Sequence, residues 1–197
     1  MLSDEERLEP THERLLPTPR GALVLLYLDR IGPLHQGDIE HLPGGLEGML
    51  QRVDAPVGPL FVLGVEGRRY LGYKNPWKPL SMRYVTRRFA TRRLIEELRR
   101  ERPLVYKERF RGSVLLRDVV SGERLLVAGY PMPPSKPTLL ELFRKGRELG
   151  ARVTVAFDRP RGGRPFNLVR QGAVEFRRLR ELPELPAMTL ELVTARP

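Results

Sequence analysis

The chain has 197 residues, of which 41% are hydrophobic and 30% charged, proportions that are ordinary for a soluble folded protein. It has no cysteine, which excludes disulfides and thiolate metal sites, and its longest apolar run, Ala22–Leu28, is too short to span a bilayer. The formal net charge of +11 indicates an anionic partner or simply a basic surface.

No basic segment precedes the longest apolar run, so a secretory signal is not expected. Met1–Arg14 is acidic, which argues against a transit peptide. We therefore expect a cytoplasmic protein with no membrane association.

The position of the basic residues is more informative than their number. Thirty of the 35 are arginine, which binds phosphate in a bidentate manner but is also abundant in GC-rich and thermophilic organisms. Residues 81–112 carry a net charge of +7 and residues 144–180 a net charge of +8, whereas residues 1–80 carry −2. Two such blocks favour a nucleic-acid partner; the alternative is a positive surface that binds nothing in particular.

The first half of the chain predicts helices followed by a hairpin. Thr18 and Pro19 are typical of a helix start, and Gly32-Pro33 ends that helix. Periodicity and breaker residues then predict a short helix over 33–42, a helix over 46–53 with its apolar residues at helical spacing, and a hairpin of strands 60–65 and 68–74 around a Glu66-Gly67 turn.

This order, over residues 18–75, resembles the winged helix-turn-helix superfamily. The resemblance implies that the third helix enters the major groove and that the hairpin, or wing, contacts the DNA backbone. On this interpretation Gln51 and Arg52 of the third helix, and Arg68, Arg69 and Lys74 of the wing, contact nucleic acid. The alternative is a protein-contact or homodimerisation module, which the net charge of −2 favours.

Residues 81–102 form a basic helical segment with two apolar faces roughly 160° apart at 100° per residue. The simplest arrangement is a break near Ala90-Thr91 with Thr91 capping a second helix; the other is one unbroken helix between two domains. Arg83, Arg87 and Arg88 have no acidic neighbour at helical spacing, so we expect them to contact phosphate.

The second half predicts strands 104–110, 114–120 and 124–130, a helix from a Thr138 cap to Gly150, strand 152–157 and an edge strand over 172–179. The expected fold is therefore α+β: a winged helix-turn-helix followed by a mixed α/β domain of order α-β-β-β-α-β. The predicted organisation is an N-terminal arm (1–17), the winged helix (18–78), the α/β domain (79–180) and a proline-rich tail (181–197).

The order of the second half resembles the core of the restriction-endonuclease-like fold. That family holds Mg²⁺ with an acid on the second strand and an acid-x-Lys on the third. Asp118 matches the first position, but strand 124–130 has neither acid nor lysine. The resemblance thus implies a degenerate site, with a metal-dependent nuclease built around Asp118 as the alternative.

Residues 18–157 are also loosely similar to bacterial replication-relaxation proteins of plasmids and mobile elements. That similarity implies DNA binding at an origin or mobile element, as a regulator or accessory factor, with no catalytic residues to carry over.

A loop after residue 157 adds Arg161 and Arg164, whose neighbouring glycines let backbone approach phosphate. The three histidines show no metal-ligand spacing, so no metal or cofactor is expected. We therefore expect a non-enzymatic protein that binds nucleic acid, DNA rather than RNA, through arginine-phosphate contacts. The alternatives are the nuclease and a protein-interaction module.

Overall fold

The structure is a computed structural model that describes residues 16–39, 42, 45–46, 48–157, 174–179 and 182. The described residues form a mixed α+β fold, as expected from the sequence. The elements, in chain order, are α1 (Pro19–Arg30), β1 (Leu34–His35), α2 (Gln36–Ile39), β2 (Leu50–Ala55), β3 (Gly58–Leu63), α3 (Val65–Tyr70), α4 (Met82–Glu101), β4 (Leu104–Phe110), β5 (Ser113–Asp118), β6 (Arg124–Tyr130), α5 (Lys136–Glu148), β7 (Arg152–Phe157) and β8 (Val174–Arg178).

Helix α1 starts as its sequence predicts. The hydroxyl of Thr18 accepts a 3.1 Å hydrogen bond from the Gly21 N–H, and proline occupies the first turn. The short helix predicted over 33–42 is wrong in part: the segment opens as strand β1, and helix α2 has only four residues. Residues 40 and 41 lie outside the described part of the chain.

The helix predicted over 46–53 is wrong. Gly48 has φ of 71°, a turn leads into strand β2, and β2 pairs with β3 in an antiparallel hairpin. The hairpin turn lies at Pro56-Val57, where Ala55 pairs with Gly58 at φ of 105°. Hairpin pairing overrides the apolar spacing, since short apolar repeats fit both a helix and a half-buried strand.

The return strand predicted over 68–74 is also wrong, because Val65–Tyr70 forms helix α3 and the predicted Glu66-Gly67 turn lies inside it. A Cβ on Gly67 would lie 2.5 Å from the carbonyl oxygen of Met49. Glycine therefore lets α3 pack directly on the turn before β2. The resulting three-stranded antiparallel sheet has the order β1-β3-β2.

Helix α4 runs unbroken for 20 residues, so the break expected near Ala90-Thr91 is wrong and the alternative is correct. Val85 and Phe89 pack against Leu60 and Val62 of the three-stranded sheet. The other apolar face packs against the second sheet through Ala90, Leu94, Ile95 and Leu98. The two faces thus serve two sheets, which explains why they point in different directions.

The second half follows the predicted order α-β-β-β-α-β, and the edge strand predicted over 172–179 is observed as β8 at the edge of the sheet. The five strands have the order β4-β5-β6-β7-β8, with β4, β5 and β6 antiparallel and β6, β7 and β8 parallel. Helix α4 covers one face, and α5 covers the other through Leu139 and Leu142. Ser135, rather than the expected Thr138, caps α5.

One hydrophobic cluster joins the two halves. It combines Val24 and Leu25 of α1 with Leu94 of α4 and with Leu116 and Leu125 of the five-stranded sheet. Among the described residues, no helix has the length and apolar character needed to cross a bilayer.

Candidate nucleic-acid interface

The residues expected on a recognition helix lie on strand β2 instead. Gln51 and Arg52 are both exposed, and Arg52 forms a 3.1 Å ion pair with Asp54 two residues on. Because β2 is a hairpin strand, these side chains are not presented as helix side chains for the major groove. The expectation that a third helix presents them to nucleic acid is therefore wrong.

The three wing residues have different environments. Arg68 is buried, and its guanidinium donates to the carbonyl oxygens of Gly64 (3.2 Å) and Lys78 (2.5 Å). Arg69 is exposed, pairs with Glu66 at 2.6 Å and stacks 4.7 Å from the Trp77 ring centre. Lys74 is exposed. Arg68 is thus a structural residue, which corrects the expectation that it contacts phosphate.

Arg88 was also expected to contact phosphate, but the structure places it in the interior. Its side chain is only 4% exposed and donates to the carbonyl oxygens of Leu28 (3.0 Å) and Asp29 (2.8 Å). These carbonyls lie in the last turn of α1, where no intrahelical donor is left to satisfy them. Arg88 therefore caps α1 and is almost fully buried, which corrects the expectation that it contacts phosphate.

Arg83 and Arg87 lie one turn apart on α4, and the two differ in exposure. Arg83 is exposed, whereas Arg87 is half-buried and lies 4.4 Å from the Tyr130 ring centre while donating to its hydroxyl at 2.7 Å. Burial raises the pKa of Tyr130, so its hydroxyl is neutral at pH 7. The contact therefore fixes the Arg87 guanidinium in place without neutralising its charge.

Arg87 lies at the edge of a groove of about 1010 Å³ between the β4–β5 turn and helix α5. We call this the basic groove. Its charged lining residues are Arg87, Arg109, Arg111, Lys136, Arg144, Lys145, Glu141 and Glu148. Six cations thus face two carboxylates, and Phe110, Pro137 and Leu140 supply apolar surface between them.

Four of the six cations form no ion pair with a carboxylate of the described residues: Arg87, Arg111, Lys136 and Arg144. Arg109 instead bonds Asp29 at 2.7 Å, and Lys145 bonds Glu148 at 3.2 Å. Three of the four unpaired cations are exposed. The basic groove therefore keeps a net positive charge that its own acids do not cancel.

Comparison with protein-family models, curated proteins and solved structures gave no match.

The basic groove joins the two basic blocks of the sequence. Arg87, Arg109 and Arg111 come from the block at 81–112, and Arg144 and Lys145 from the block at 144–180. Of the described residues predicted from the sequence to contact nucleic acid, only Arg87 lines it. Arg111, Lys136, Arg144 and Lys145 were missed. The charge of the two blocks pointed towards Arg111, Arg144 and Lys145, whereas Lys136 lies between the blocks. Arg161 and Arg164 lie outside the described residues.

Asp118 is the acid around which the alternative nuclease site would be built, and backbone groups of the turn that follows it hold its carboxylate. Its carboxylate accepts hydrogen bonds from the N–H groups of Val120 (2.8 Å) and Ser121 (3.1 Å). The hydrogen bond from the Ser121 N–H is the main reason that the pKa of Asp118 lies below its ordinary value. No group of three or more potential metal ligands occurs in the described part of the chain.

Asp118 and the basic groove also lie at opposite ends of β5. Ser113 opens the strand and lines the groove, whereas Asp118 closes it. Five residues at about 3.4 Å each separate the two positions by roughly 17 Å. Asp118 is thus remote from the surface best suited to hold a phosphate backbone.

Proposed function

We propose that the protein binds double-stranded DNA by holding its phosphate backbone in the basic groove. The observation that carries the proposal is that six cationic side chains and two carboxylates line the same groove. Four of the six cations form no ion pair with a carboxylate of the described residues. Arginine and lysine neutralise phosphates, and this contact supplies most of the affinity of non-specific DNA binding.

The groove also has the make-up expected for backbone contact rather than base reading. Its cations come from a helix, a strand end and a second helix. Phosphate contacts fix position but carry no sequence information. Binding should accordingly be tolerant of sequence.

Fewer observations support a winged helix-turn-helix in the N-terminal half than support the basic groove. In its support, the N-terminal half has helix α1, a short strand, a short helix and then an antiparallel hairpin, with the order β1-β3-β2. The residues between α2 and β2 are only partly described. We propose that the β2–β3 hairpin is the wing of this half.

The test is the salt dependence of binding to a short, blunt, fluorescently labelled duplex. Four neutralised phosphates give a slope of about −3.6 in log K against log salt, or about a 150-fold loss of affinity between about 50 and about 200 mM salt. Two duplexes of unrelated sequence should bind equally. Affinity that is independent of salt, or no binding at low salt, would contradict the proposal.

A further inference from the structure

The loop that joins α3 to α4 exposes the only tryptophan of the chain. We call residues 71–81 the Trp77 loop. Trp77 is 62% exposed, although an indole usually packs into a core. The Arg69 guanidinium lies 4.7 Å from its ring centre, which orients the ring without burying it.

The exposure of Trp77 does not come from a loosely attached loop. The buried side chain of Arg68 donates to the carbonyl oxygen of Lys78 at 2.5 Å, next to Trp77 in the chain. Pro76 on its other side is buried, and the Tyr73 hydroxyl donates to the Asp29 carboxylate. The loop is therefore fixed on both sides of the ring, which remains open to solvent.

The positive charge around the Trp77 loop indicates which kind of ligand the loop would bind. Lys74 and Lys78 are exposed on the loop, and Arg83 is exposed on the first turn of α4. Residues 67–95 contain no aspartate or glutamate. Arg69 pairs with Glu66. Lys74, Lys78 and Arg83 form no ion pair with a described carboxylate, so a ring presented among them suits a ligand that is both flat and anionic. A nucleotide has these two properties, since its base stacks on aromatic rings and its phosphate pairs with lysine and arginine.

The Trp77 loop is also joined to the basic groove. Arg109 lines the groove and also a smaller cleft, whose other walls include Arg68, Tyr73 and Leu80. Arg68 is the residue that holds Lys78. One cationic side chain thus links the groove to the cleft beneath the loop.

We propose that Trp77 is a stacking platform for an unpaired base of a DNA strand whose backbone lies in the basic groove. This inference rests on the proposed function and deepens it: the preferred ligand is a duplex with a single-stranded extension. Lys74 and Lys78 contact the phosphates of the extension, and the Arg69 guanidinium backs the ring on the side away from the base.

The test uses the fluorescence of Trp77, because no other residue in the chain contributes an indole signal. A blunt duplex and the same duplex with an oligo(dT) extension are added to the full-length protein. We expect the extended duplex to quench Trp77 fluorescence and to bind about 5- to 150-fold more tightly than the blunt one, the range for one stacked base. With a labelled duplex, Trp77→Ala should remove the part of that difference that stacking supplies, at least about 5-fold, and leave the blunt-duplex affinity unchanged, while Trp77→Phe should retain some of the stacking gain.

The outcomes separate this inference from the proposed function. If the blunt duplex binds with the expected salt dependence but the extension adds neither affinity nor quenching, the stacking platform is wrong and the groove proposal stands. If neither duplex binds, both proposals fail. If Trp77→Ala weakens both duplexes equally while its unfolding transition matches that of the wild type, Trp77 contacts duplex DNA and the platform for an unpaired base is again wrong.

Discussion

Arg92 donates a 2.6 Å hydrogen bond from Nη1 to Oδ2 of Asp38, and the two side chains are 1% and 4% exposed. The pair joins the middle of α4 to α2. Arg92 also donates to the carbonyl oxygen of Pro33 at 2.9 Å and from Nε to the Tyr27 hydroxyl at 3.1 Å. This arginine of the most basic helix is thus fully occupied inside the protein.

Asp38→Asn is expected to lower the free energy of unfolding by about 3 kcal/mol, because it leaves the Arg92 charge buried without its counter-ion. Urea denaturation measures this loss. Arg92→Met should cost a similar amount, and the double variant Arg92→Met with Asp38→Asn should cost clearly less than the sum of the single changes. Additive losses would show that the two residues do not act as a pair.

Arg88→Met is expected to lower the free energy of unfolding by about 1 to 3 kcal/mol, since the buried Leu28 carbonyl loses its donor while the Asp29 carbonyl keeps the Arg109 guanidinium. Arg88→Lys should recover only part of this, because Nη2 of the guanidinium reaches the carbonyls while Nη1 donates to the Tyr84 hydroxyl, and an ammonium has a single nitrogen. Arg83→Met, on the exposed face of the same helix, is the matched control and should change stability by less than about 0.5 kcal/mol. Equal effects of Arg83→Met and Arg88→Met on stability would contradict the capping role.

Arg111→Ala and Arg144→Ala should each weaken duplex binding about tenfold at low salt, which is the loss of one charge-assisted contact. Each change should also make the salt slope shallower by about 1. Titration of a labelled duplex at several salt concentrations provides both values. Arg117→Ala removes the same charge from an exposed position in β5, outside the groove lining, and should leave both values close to those of the wild type.

Gly129→Ala is expected to destabilise the protein by about 3 kcal/mol through overpacking. A Cβ at this position in β6 would lie 2.2 Å from the carbonyl carbon of Ala90 in α4, and Thr91 also bonds the Gly129 N–H at 2.9 Å. The comparison is Gly37→Ala in α2, where a Cβ would meet no atom within 4 Å. Thermal unfolding should show a large decrease in Tm for the first variant and little change or a small increase for the second.

Glu101 ties the end of α4 to β8 and should contribute a pH-dependent part of stability. Arg177 donates to both carboxylate oxygens, at 2.5 and 2.8 Å, and these bonds lower the pKa of Glu101 from its ordinary value of 4.5. A lowered pKa in the folded state stabilises the protein above pH 4.5 and loses that contribution as the pH falls through the folded value.

Glu101→Gln should therefore reduce the loss of stability between pH 7 and acid pH, as measured by urea denaturation at each pH. The exposed Glu108, for which the structure gives no ion pair, supplies the control Glu108→Gln. An identical pH dependence of the wild type and Glu101→Gln would contradict the contribution of the Glu101–Arg177 pair.

The second half of the fold could be predicted because each element carries its own boundary signals. Strands β4, β6 and β7 coincide with apolar runs between turn residues, and Gly150, at φ of 58°, ends the α5 segment as expected. Beyond α1, the first half lacked such signals. Residues 46–53 show helical spacing, yet pairing with β3 makes 50–55 a strand, and Gly67 allows a helix where a turn was predicted.

The sequence by itself determined the order of elements in the second half, the start of α1 and the two segments in which positive charge accumulates. Only the tertiary structure decided what each arginine does. A guanidinium satisfies carbonyl oxygens, carboxylates and phosphates with the same donors, so the sequence does not distinguish a buried cap such as Arg88 from a groove residue such as Arg111. The distinction depends on which side of α4 meets α1 and on where the β4–β5 turn meets α5, and both follow from packing between segments far apart in the chain.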